Sequence, residues 1–286
     1  MSMRERKIGI ITECFRVELV DAISRAARLG ADAVQISVGR RGDATDLWTP
    51  DYRKRVRSAL NDHGLAVSAL VGELGGHGLA APEENEWKIP EIIRMMPIAR
   101  EFGCDIITTH VGVIPSDGAH NRFAVIRDAL IQLALAGKRE GCRIAIETGP
   151  EPPETLLSML HTVGSEYIGV NYDPANLRMV CGVDPVAGVE TLKDVILHVH
   201  VKDGRMINYV GPEVVYGFFA EGGIGDLRLE ECFLETPLGE GQVDLPGWFD
   251  ALDKIGYHGY YTIEREVGDN PEADIAKAVT FIRSLS

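Results

Sequence analysis

The sequence is poor in basic residues and has no long apolar run. Its 286 residues carry 29 Lys and Arg against 43 Asp and Glu, which gives a formal net charge of −14. An acidic surface repels phosphate backbones, so nucleic acid is not an expected partner. No apolar stretch approaches a membrane span, and the opening MSMRERKIGIITECF lacks the long apolar core of a signal peptide. We therefore expect neither a membrane partner nor a secretory signal.

Cysteine is scarce and follows no pattern. The five cysteines are odd in number, widely spaced and without a CxxC pair: Cys14, Cys104, Cys142, Cys181 and Cys232. This usage argues against a disulfide framework and favours reduced thiols. The sequence therefore predicts a cytoplasmic protein. Its composition, 45% apolar and 25% charged, is ordinary for a globular chain.

A glycine-rich phosphate loop is missing as well. The first predicted strand is followed by TECFRVE, where a dinucleotide-binding doubly wound fold would place GxGxxG. The chain instead alternates short runs rich in β-branched residues with longer segments of helical spacing. The eight strand segments are KIGIITE, DAVQIS, LAVSALVG, DIITTHVG, RIAIETG, YIGVNYD, VILHVHVKD and GYYTIERE.

Eight helical segments follow these strands, and several end at a glycine, a common C-cap signal. They span about residues 18–29, 51–63, 89–102, 120–140, 154–163, 184–194, 246–255 and 271–285. Eight strands that alternate with eight helices predict parallel βαβ units. At this length they predict an α/β fold of the (β/α)8 TIM-barrel type, with one domain over residues 1–286. A doubly wound open sheet is the alternative.

One connection is longer than an ordinary barrel loop. About forty residues, 205–243, separate the seventh strand from the helix that begins near residue 246. Connections of this length are functional or disordered in most compact domains, and one that follows a barrel strand lies over the catalytic face. We expect this insertion either to cover the site or to contact another subunit. Asp203, which points away from the barrel interior, is expected to brace it.

The C-terminal ends of four consecutive predicted strands carry groups that can bind a metal ion. Glu147 ends RIAIETG, Asp173 ends YIGVNYD, His200 lies in VILHVHVKD, and Glu264 lies in GYYTIERE. Barrel active sites form at this end of the strands. A lone carboxylate there is commonly a helix N-cap, but three together raise each other's pKa unless a cation lies between them. Three carboxylates and one imidazole suit Mn2+, Co2+, Mg2+ or Zn2+.

These residues lie in stretches that resemble the sugar phosphate isomerase/epimerase family of xylose isomerase-like barrels. The matching stretches are AIETGP, GVNYDPANL, HVHVKD, PLGEGQVDLPGWFDAL and GYYTIERE, and the eight-unit pattern extends the resemblance over the whole chain. The resemblance implies one divalent metal ion held by Glu147, Asp173, His200 and Glu264. We favour Mn2+, with Co2+, Mg2+ and Zn2+ as alternatives. It also implies that His198 is not a ligand but lies one layer deeper in the barrel.

The resemblance further implies a metal-dependent isomerase or epimerase that acts on a carbohydrate. In the family's ketose epimerases, two metal-bound glutamates exchange a proton with the carbon next to a carbonyl, through a metal-stabilised enediolate. Glu147 and Glu264 would then be both ligands and acid/base catalysts. The same proton abstraction could begin a dehydratase or lyase reaction of polyol or keto-inositol catabolism. The sequence leaves that alternative open.

Two other function classes fit the sequence less well. An apurinic-site endonuclease, which shares this barrel, would need extra histidines. Asn176 stands where one of them is expected, no Asp-x-His follows His200, and the negative charge opposes DNA binding. A non-catalytic binding barrel would be expected to have a broken metal set, and all four residues are present.

Four residues near the predicted rim are candidates for contact with the substrate. His110 could equally be a hydrogen-bonded core histidine, and Lys202 could instead neutralise a neighbouring carboxylate. His110 ends the fourth strand, Lys202 shares a face with His200, and Arg205 follows shortly after. Asn176 occupies a position where ketose epimerases of the family often have a substrate-binding histidine. The expected partner is therefore a small carbohydrate. The resemblance also suggests a homo-oligomer, either a dimer or a tetramer.

Overall fold

The computed structural model describes residues 6–38 and 46–285, and within them eight parallel strands close into a barrel. The barrel strands pair in chain order, and the last of them, Tyr261–Ile263, closes the barrel by pairing with the seventh strand on one side and the first on the other. The barrel strands are β1 (Ile8–Ile11), β2 (Ala33–Ser37), β3 (Ala66–Val71), β4 (Ile106–Thr109), β5 (Arg143–Glu147), β6 (Ile168–Tyr172), β7 (Ile196–Val201) and β10 (Tyr261–Ile263). The predicted single-domain TIM barrel is confirmed.

Helices surround the barrel and connect successive strands. They are α1 (Leu19–Arg28), α2 (Pro50–His63), α3 (Pro82–Glu101), α4 (Asn121–Glu140), α5 (Pro153–Val163), α6 (Pro174–Asn176), α7 (Pro185–Leu192), α9 (Leu245–Lys254) and α10 (Pro271–Ser284). A π-helical turn, Leu177–Cys181, extends α6.

One helix differs clearly from the sequence prediction. The prediction placed the start of α3 near residue 89, whereas α3 begins seven residues earlier, with Pro82 in its first turn. Pro82 fits the observed start, because proline is common at the first helical position. Here Pro90 and Pro97 both lie inside the helix. Each removes one backbone donor but does not end the helix, because residues on either side pack against the barrel.

The interior of the barrel is lined by hydrogen-bonded polar side chains. Gln35 of β2 reaches across the barrel to His200 of β7, with 3.1 Å between Oε1 and Nε2. Ser68 of β3 similarly lies 3.4 Å from Thr262 of β10. All four side chains are buried. The apolar core instead fills the layer between strands and helices, since buried strands and buried helix faces supply its residues.

The connection after β7 forms a folded unit, here called the insertion, at residues 203–243. Strands β8 (Asp203–Met206) and β9 (Phe233–Thr236) pair antiparallel, and helix α8 (Pro212–Glu221) lies between them in the chain. The Asp203 carboxylate accepts hydrogen bonds from the backbone N–H groups of Gly239, Gly241 and Val243, as well as from Gly204. Asp203 therefore fastens the end of the insertion to its beginning.

Two further observations concern the chain as a whole. None of the helices in the described ranges has the length and apolar character needed to cross a bilayer. All five cysteines carry free thiols, and burial raises the pKa of Cys104 to about 11. The expectation about the amino terminus falls partly on residues 1–5, which lie outside the described part of the chain.

Candidate active site

Four predicted ligands converge at one end of the barrel. Glu147 ends β5, Asp173 follows β6, His200 lies near the end of β7, and Glu264 follows β10. One potential ligand atom from each residue lies within 4.8 Å of all the others. They meet because the carboxyl ends of parallel strands share one rim, and the four strands are neighbours in the barrel. Their role as metal ligands stays a prediction, but their convergence is a property of the fold.

The electrostatics of this cluster suit a cation. Asp173 Oδ2 is buried and accepts no hydrogen bond from the described residues, and the buried Glu264 Oε2 faces two cationic groups, with His200 Nδ1 at 3.1 Å and Lys202 Nζ at 3.2 Å. Burial raises the pKa of Asp173 well above its ordinary value. Burial opposes ionisation of Glu264 too, but Lys202 and His200 hold its pKa well below the ordinary value. A divalent ion would give the unpartnered Asp173 Oδ2 a partner and would neutralise the carboxylates around it, so the donor set fits a metal.

Asp173 also caps the N-terminus of a helix, which is the common role of a lone carboxylate at the end of a strand. Its Oδ1 accepts a hydrogen bond from Asn176 N at 2.8 Å, which caps the short helix α6. The two oxygens are thus divided, since Oδ1 is used by the backbone and Oδ2 faces the cluster without a donor. Asn176 Nδ2 in turn donates to Glu147 Oε1 at 2.9 Å. The predicted substrate contact Asn176 therefore also orients a predicted ligand.

Two buried amides that sequence reasoning missed hold the histidines. Gln35 Oε1 lies 3.1 Å from His200 Nε2, which leaves His200 Nδ1 directed at the carboxylates. Asn171 Oδ1 lies 2.9 Å from His198 Nδ1, and Asn171 Nδ2 donates to Glu147 Oε2 at 3.2 Å. The only sequence signal was a polar residue inside each of the apolar runs DAVQIS and YIGVNYD. A hydrogen bond of this kind fixes the ring and tautomer of a metal-binding histidine.

His198 lies deeper in the barrel and takes no part in the four-residue cluster. Besides Asn171, its ring contacts Thr262, with 3.1 Å between Nε2 and Oγ1. Burial and the neighbouring His200 lower the pKa of His198 well below its ordinary value. A neutral, doubly hydrogen-bonded imidazole is consistent with a packing role.

Lys202 is buried among carboxylates at the same rim. Its Nζ lies 2.7 Å from Glu266, 3.2 Å from Glu264 and 3.7 Å from Glu235. Burial alone would lower the pKa of Lys202, but the three glutamates raise it well above its ordinary value. The ammonium therefore stays charged and has one glutamate from the candidate ligand set as a neighbour.

His110 lies at the end of β4 on the other side of the cluster. Its Nδ1 is 3.2 Å from Glu73, and its Nε2 is 3.8 Å from Glu147. Burial alone would lower the pKa of His110, but Glu147 and Glu73 raise it to about 10. The same pairing lowers the pKa of Glu73 to about 2, against burial. A charged imidazole therefore faces the cavity above Glu147.

Arg205 lies apart from the other predicted site residues. Its side chain is exposed on β8, and its Nε donates to the Glu240 carbonyl oxygen at 2.8 Å. It does not line the cavity over the cluster, whereas His110, Asn176 and Lys202 do. Its predicted contact with substrate gains no support from this placement, because the strand β8 directs it toward the returning chain of the insertion.

The cavity over the cluster has a volume of about 950 Å³ and is closed on one side by the insertion. Tyr216 of α8 reaches into it, with its ring centroid 5.7 Å from that of His110. Burial raises the pKa of Tyr216 well above its ordinary value, so its hydroxyl stays protonated at neutral pH. Sequence reasoning missed Tyr216, because nothing in YVGPEVVYGFFAEGG shows which side chain turns toward the barrel.

Comparison with known proteins gives one family and several distant relatives. The family profile described as "Xylose isomerase-like TIM barrel" matches residues 23–285. Uncharacterized protein YfiH of Bacillus subtilis (strain 168) is 25% identical, over 97% of this chain and 98% of that protein. L-ribulose-5-phosphate 3-epimerase UlaE of Salmonella paratyphi A is 24% identical, over 93% of this chain and 89% of that protein.

Solved structures show the same fold. The crystal structure of a xylose isomerase domain protein from Planctomyces limnophilus superposes with a TM-score of 0.79 at 22% identity. The match covers 98% of this chain and 96% of that one. Sequence profile and backbone therefore agree over nearly the whole length of the molecule.

Proposed function

The chain belongs to the xylose isomerase-like TIM barrel family, and from this premise we propose that it is a divalent-metal-dependent carbohydrate isomerase or epimerase. The observation that carries the proposal is the convergence of Glu147, Asp173, His200 and Glu264 within 4.8 Å beneath a large cavity. The 3-epimerase name of a relative that aligns over 93% of this chain supports the reaction class.

The four converging residues would hold the metal ion, for which we favour Mn2+. Asp173 Oδ2 offers a carboxylate oxygen without a hydrogen-bond donor, Glu264 offers Oε2, and His200 offers Nδ1. When bound, a divalent ion supplies Lewis-acid stabilisation of negative charge that develops on substrate oxygens. Three hard oxygen donors and one imidazole suit Mn2+, Mg2+, Co2+ and Zn2+.

Glu147 and Glu264 would carry the proton transfers. They come from β5 and β10, which are separated in the barrel by β6 and β7. Both line the cavity, so they approach a bound substrate from different sides. One carboxylate would remove the proton from the carbon next to the carbonyl, and the other would return a proton to the opposite face. Inversion at that carbon is the result.

The remaining polar groups of the cavity would bind and orient the substrate. His110 and Lys202 are cationic donors directed at the rim, and Asn176 holds Glu147 while lining the same cavity. The Tyr216 hydroxyl, whose ring lies 5.7 Å from that of His110, is a further donor in the same cavity. Carbohydrate hydroxyls and carbonyls match such a mixture of charged and neutral donors.

The experiment is a proton-exchange assay in D2O, followed by NMR, with ketoses, keto-inositols and 3-oxo-sugars. We expect solvent deuterium to enter one carbon next to a carbonyl, and chelation to abolish the exchange. Glu147→Gln and Glu264→Gln should lower turnover by about 10²–10⁴-fold with a much smaller change in substrate binding. Glu190→Gln, a change on an exposed helix face, is the matched control and should be unaffected.

Near-wild-type exchange in either active-site variant would contradict the proposal, as would exchange that persists without metal. A product that has lost its β-hydroxyl would instead assign the dehydratase or lyase alternative to the same residues. Metal analysis of the purified protein should give one equivalent per chain.

We also propose that the protein is cytoplasmic and forms a homo-oligomer. The free thiols of all five cysteines support the location. Light scattering of the purified protein tests for a dimer or tetramer.

A further inference from the structure

The cavity over the cluster is larger than a simple sugar requires. Its volume of about 950 Å³ is near the upper end of the range that encloses drug-sized ligands. A monosaccharide is smaller than such ligands and would reach only the polar floor formed by Glu147, Glu264, His110 and Asn176. Much of the cavity therefore lies beyond the reach of a substrate bound at the candidate ligands.

The outer part of this cavity is apolar. Several apolar side chains that line it come from the insertion and the π-helical turn: Val215, Phe219, Phe233, Leu234, Met179 and Val180. Val113 and Val267 add apolar surface from other loops, and Phe219 and Leu234 are 59% and 48% exposed. Contiguous exposed apolar surface in a cleft marks a place where a ligand or partner is buried.

The side chains from the insertion and the π-helical turn form one wall of the cavity, here called the apolar wall, and close contacts join it to the barrel. At Gly204 an added Cβ would lie 2.2 Å from Met179 Sδ, so β8 rests directly on the π-helical turn. At Gly149, where φ is +141°, an added Cβ would lie 2.5 Å from the Tyr216 hydroxyl. Only glycine permits such close approaches. The apolar wall is therefore held at a fixed place relative to the end of β5.

The charges in the cavity do not favour a phosphate group. Seven glutamates line it, against one lysine and one arginine. Each basic side chain among the described lining residues lies beside a carboxylate: Lys202 beside Glu266, Arg122 beside Glu213, His77 beside Glu221 and His110 beside Glu73. An anionic substrate would have to compete with these carboxylates, whereas an uncharged one would not.

We propose that the insertion builds a second binding site beside the candidate metal ligands, which holds an apolar substituent of an uncharged carbohydrate, as in an aryl or alkyl glycoside. This assignment rests on the proposed function, because it places the sugar part of the same molecule at Glu147 and Glu264. The continuity of the apolar wall with that polar floor supports one ligand that spans both.

The experiment compares three forms of the same 3-oxo-sugar, whose carbonyl is not the anomeric carbon and so survives in a glycoside: the free sugar, its phosphate and its phenyl glycoside. Deuterium exchange in the metal-loaded protein gives kcat/KM for each. We expect the phenyl glycoside to be preferred by about tenfold or more over both others, as burial of an aromatic ring predicts. The phosphate is included because the basic residues counted above omit Arg40 and Arg41, which lie outside the described residues.

Two variants test the wall itself. Phe219→Ala and Phe233→Ala should each reduce the preference for the phenyl glycoside over the free sugar by roughly tenfold. Phe219 is more than half exposed, so its truncation leaves the fold intact. The matched control is Ile207→Ala, an exposed apolar residue of the insertion that does not line the cavity, and it should keep the wild-type preference.

A preference for the free or phosphorylated sugar, or one unchanged in both phenylalanine variants, would overturn the second site and leave the proposed function standing. If no sugar exchanges deuterium, the proposed function fails. The second site is then tested separately by calorimetric titration with the phenyl glycoside. Phenyl glycoside binding that weakens in Phe219→Ala supports the second site. No binding, or binding equal in wild type and variant, overturns it.

Discussion

At the residue scale, the His200 ring is held at both of its nitrogens. Gln35 Oε1 lies 3.1 Å from Nε2 on one side of the barrel, and Glu264 Oε2 lies 3.1 Å from Nδ1 on the other. Gln35 is itself held, since its Nε2 donates to Thr108 Oγ1 at 3.0 Å. The ring therefore has one orientation before any ion binds, and Gln35 acts as a positioning residue.

Loss of Gln35 should weaken metal binding. We expect Gln35→Leu to raise the Kd for Mn2+ by about 10–100-fold, because the ring loses the partner that fixes its orientation. Calorimetric titration of the metal-free protein measures this value. Gln132→Leu, on the exposed face of α4, is the control and should bind as the wild type does. Equal affinity in Gln35→Leu and wild type would show that the hydrogen bond has no positioning role.

At the element scale, the insertion depends on one buried carboxylate. Asp203 accepts four backbone N–H groups at 2.8–3.2 Å, and three of these belong to the segment 239–243. That segment leads directly into α9. Its conformation therefore depends on a single side chain at the start of β8.

Removal of this carboxylate should loosen the return of the insertion. We expect Asp203→Ala to lower the free energy of unfolding by roughly 3 kcal/mol, because several buried backbone donors lose a charged acceptor. Hydrogen exchange should show the largest loss of protection over residues 239–243. Asp226→Ala, an exposed change in the same insertion, should have little effect. Unchanged protection in Asp203→Ala would contradict the bracing role.

At the scale of the whole molecule, stability should depend on the metal ion. The barrel rim holds three carboxylates around His200, and Asp173 Oδ2 is buried without a hydrogen-bond donor from the described residues. A ligand at 100 times its Kd stabilises the native state by about 2.7 kcal/mol. We therefore expect a chelator to lower Tm by several degrees, and Mn2+ to restore it.

Differential scanning calorimetry with and without chelator measures this shift. The test variant is Asp173→Asn, which removes one charge from the cluster and retains a side-chain oxygen for the α6 cap. Its Tm should respond less to Mn2+ than that of the wild type. A wild-type Tm that is indifferent to chelator would argue against a metal held by these residues.

Much of the fold could be predicted because parallel strands buried on both faces appear in sequence as short apolar runs. Because these runs show where each strand ends, the positions of Glu147 and Glu264 at the rim could be predicted as well. The features that the sequence did not predict depend on tertiary contacts. The first seven residues of α3 were not predicted, and Gln35 looked like any polar residue in a strand. Tyr216 enters the cavity from an insertion whose pairing no local pattern reveals.

The insertion leaves and rejoins the barrel at a single place. Asp203 pairs with Thr236 across β8 and β9, and the same Asp203 binds the chain that leads into α9. Residues 204–235 thus form a closed excursion whose two ends are neighbours. A module of different size or polarity placed between these ends would change the wall over the cavity, whereas Glu147, Asp173, His200 and Glu264 all lie outside the excursion. If the proposed function holds, the covalent order of the chain lets the substrate-facing wall vary while these four residues are kept.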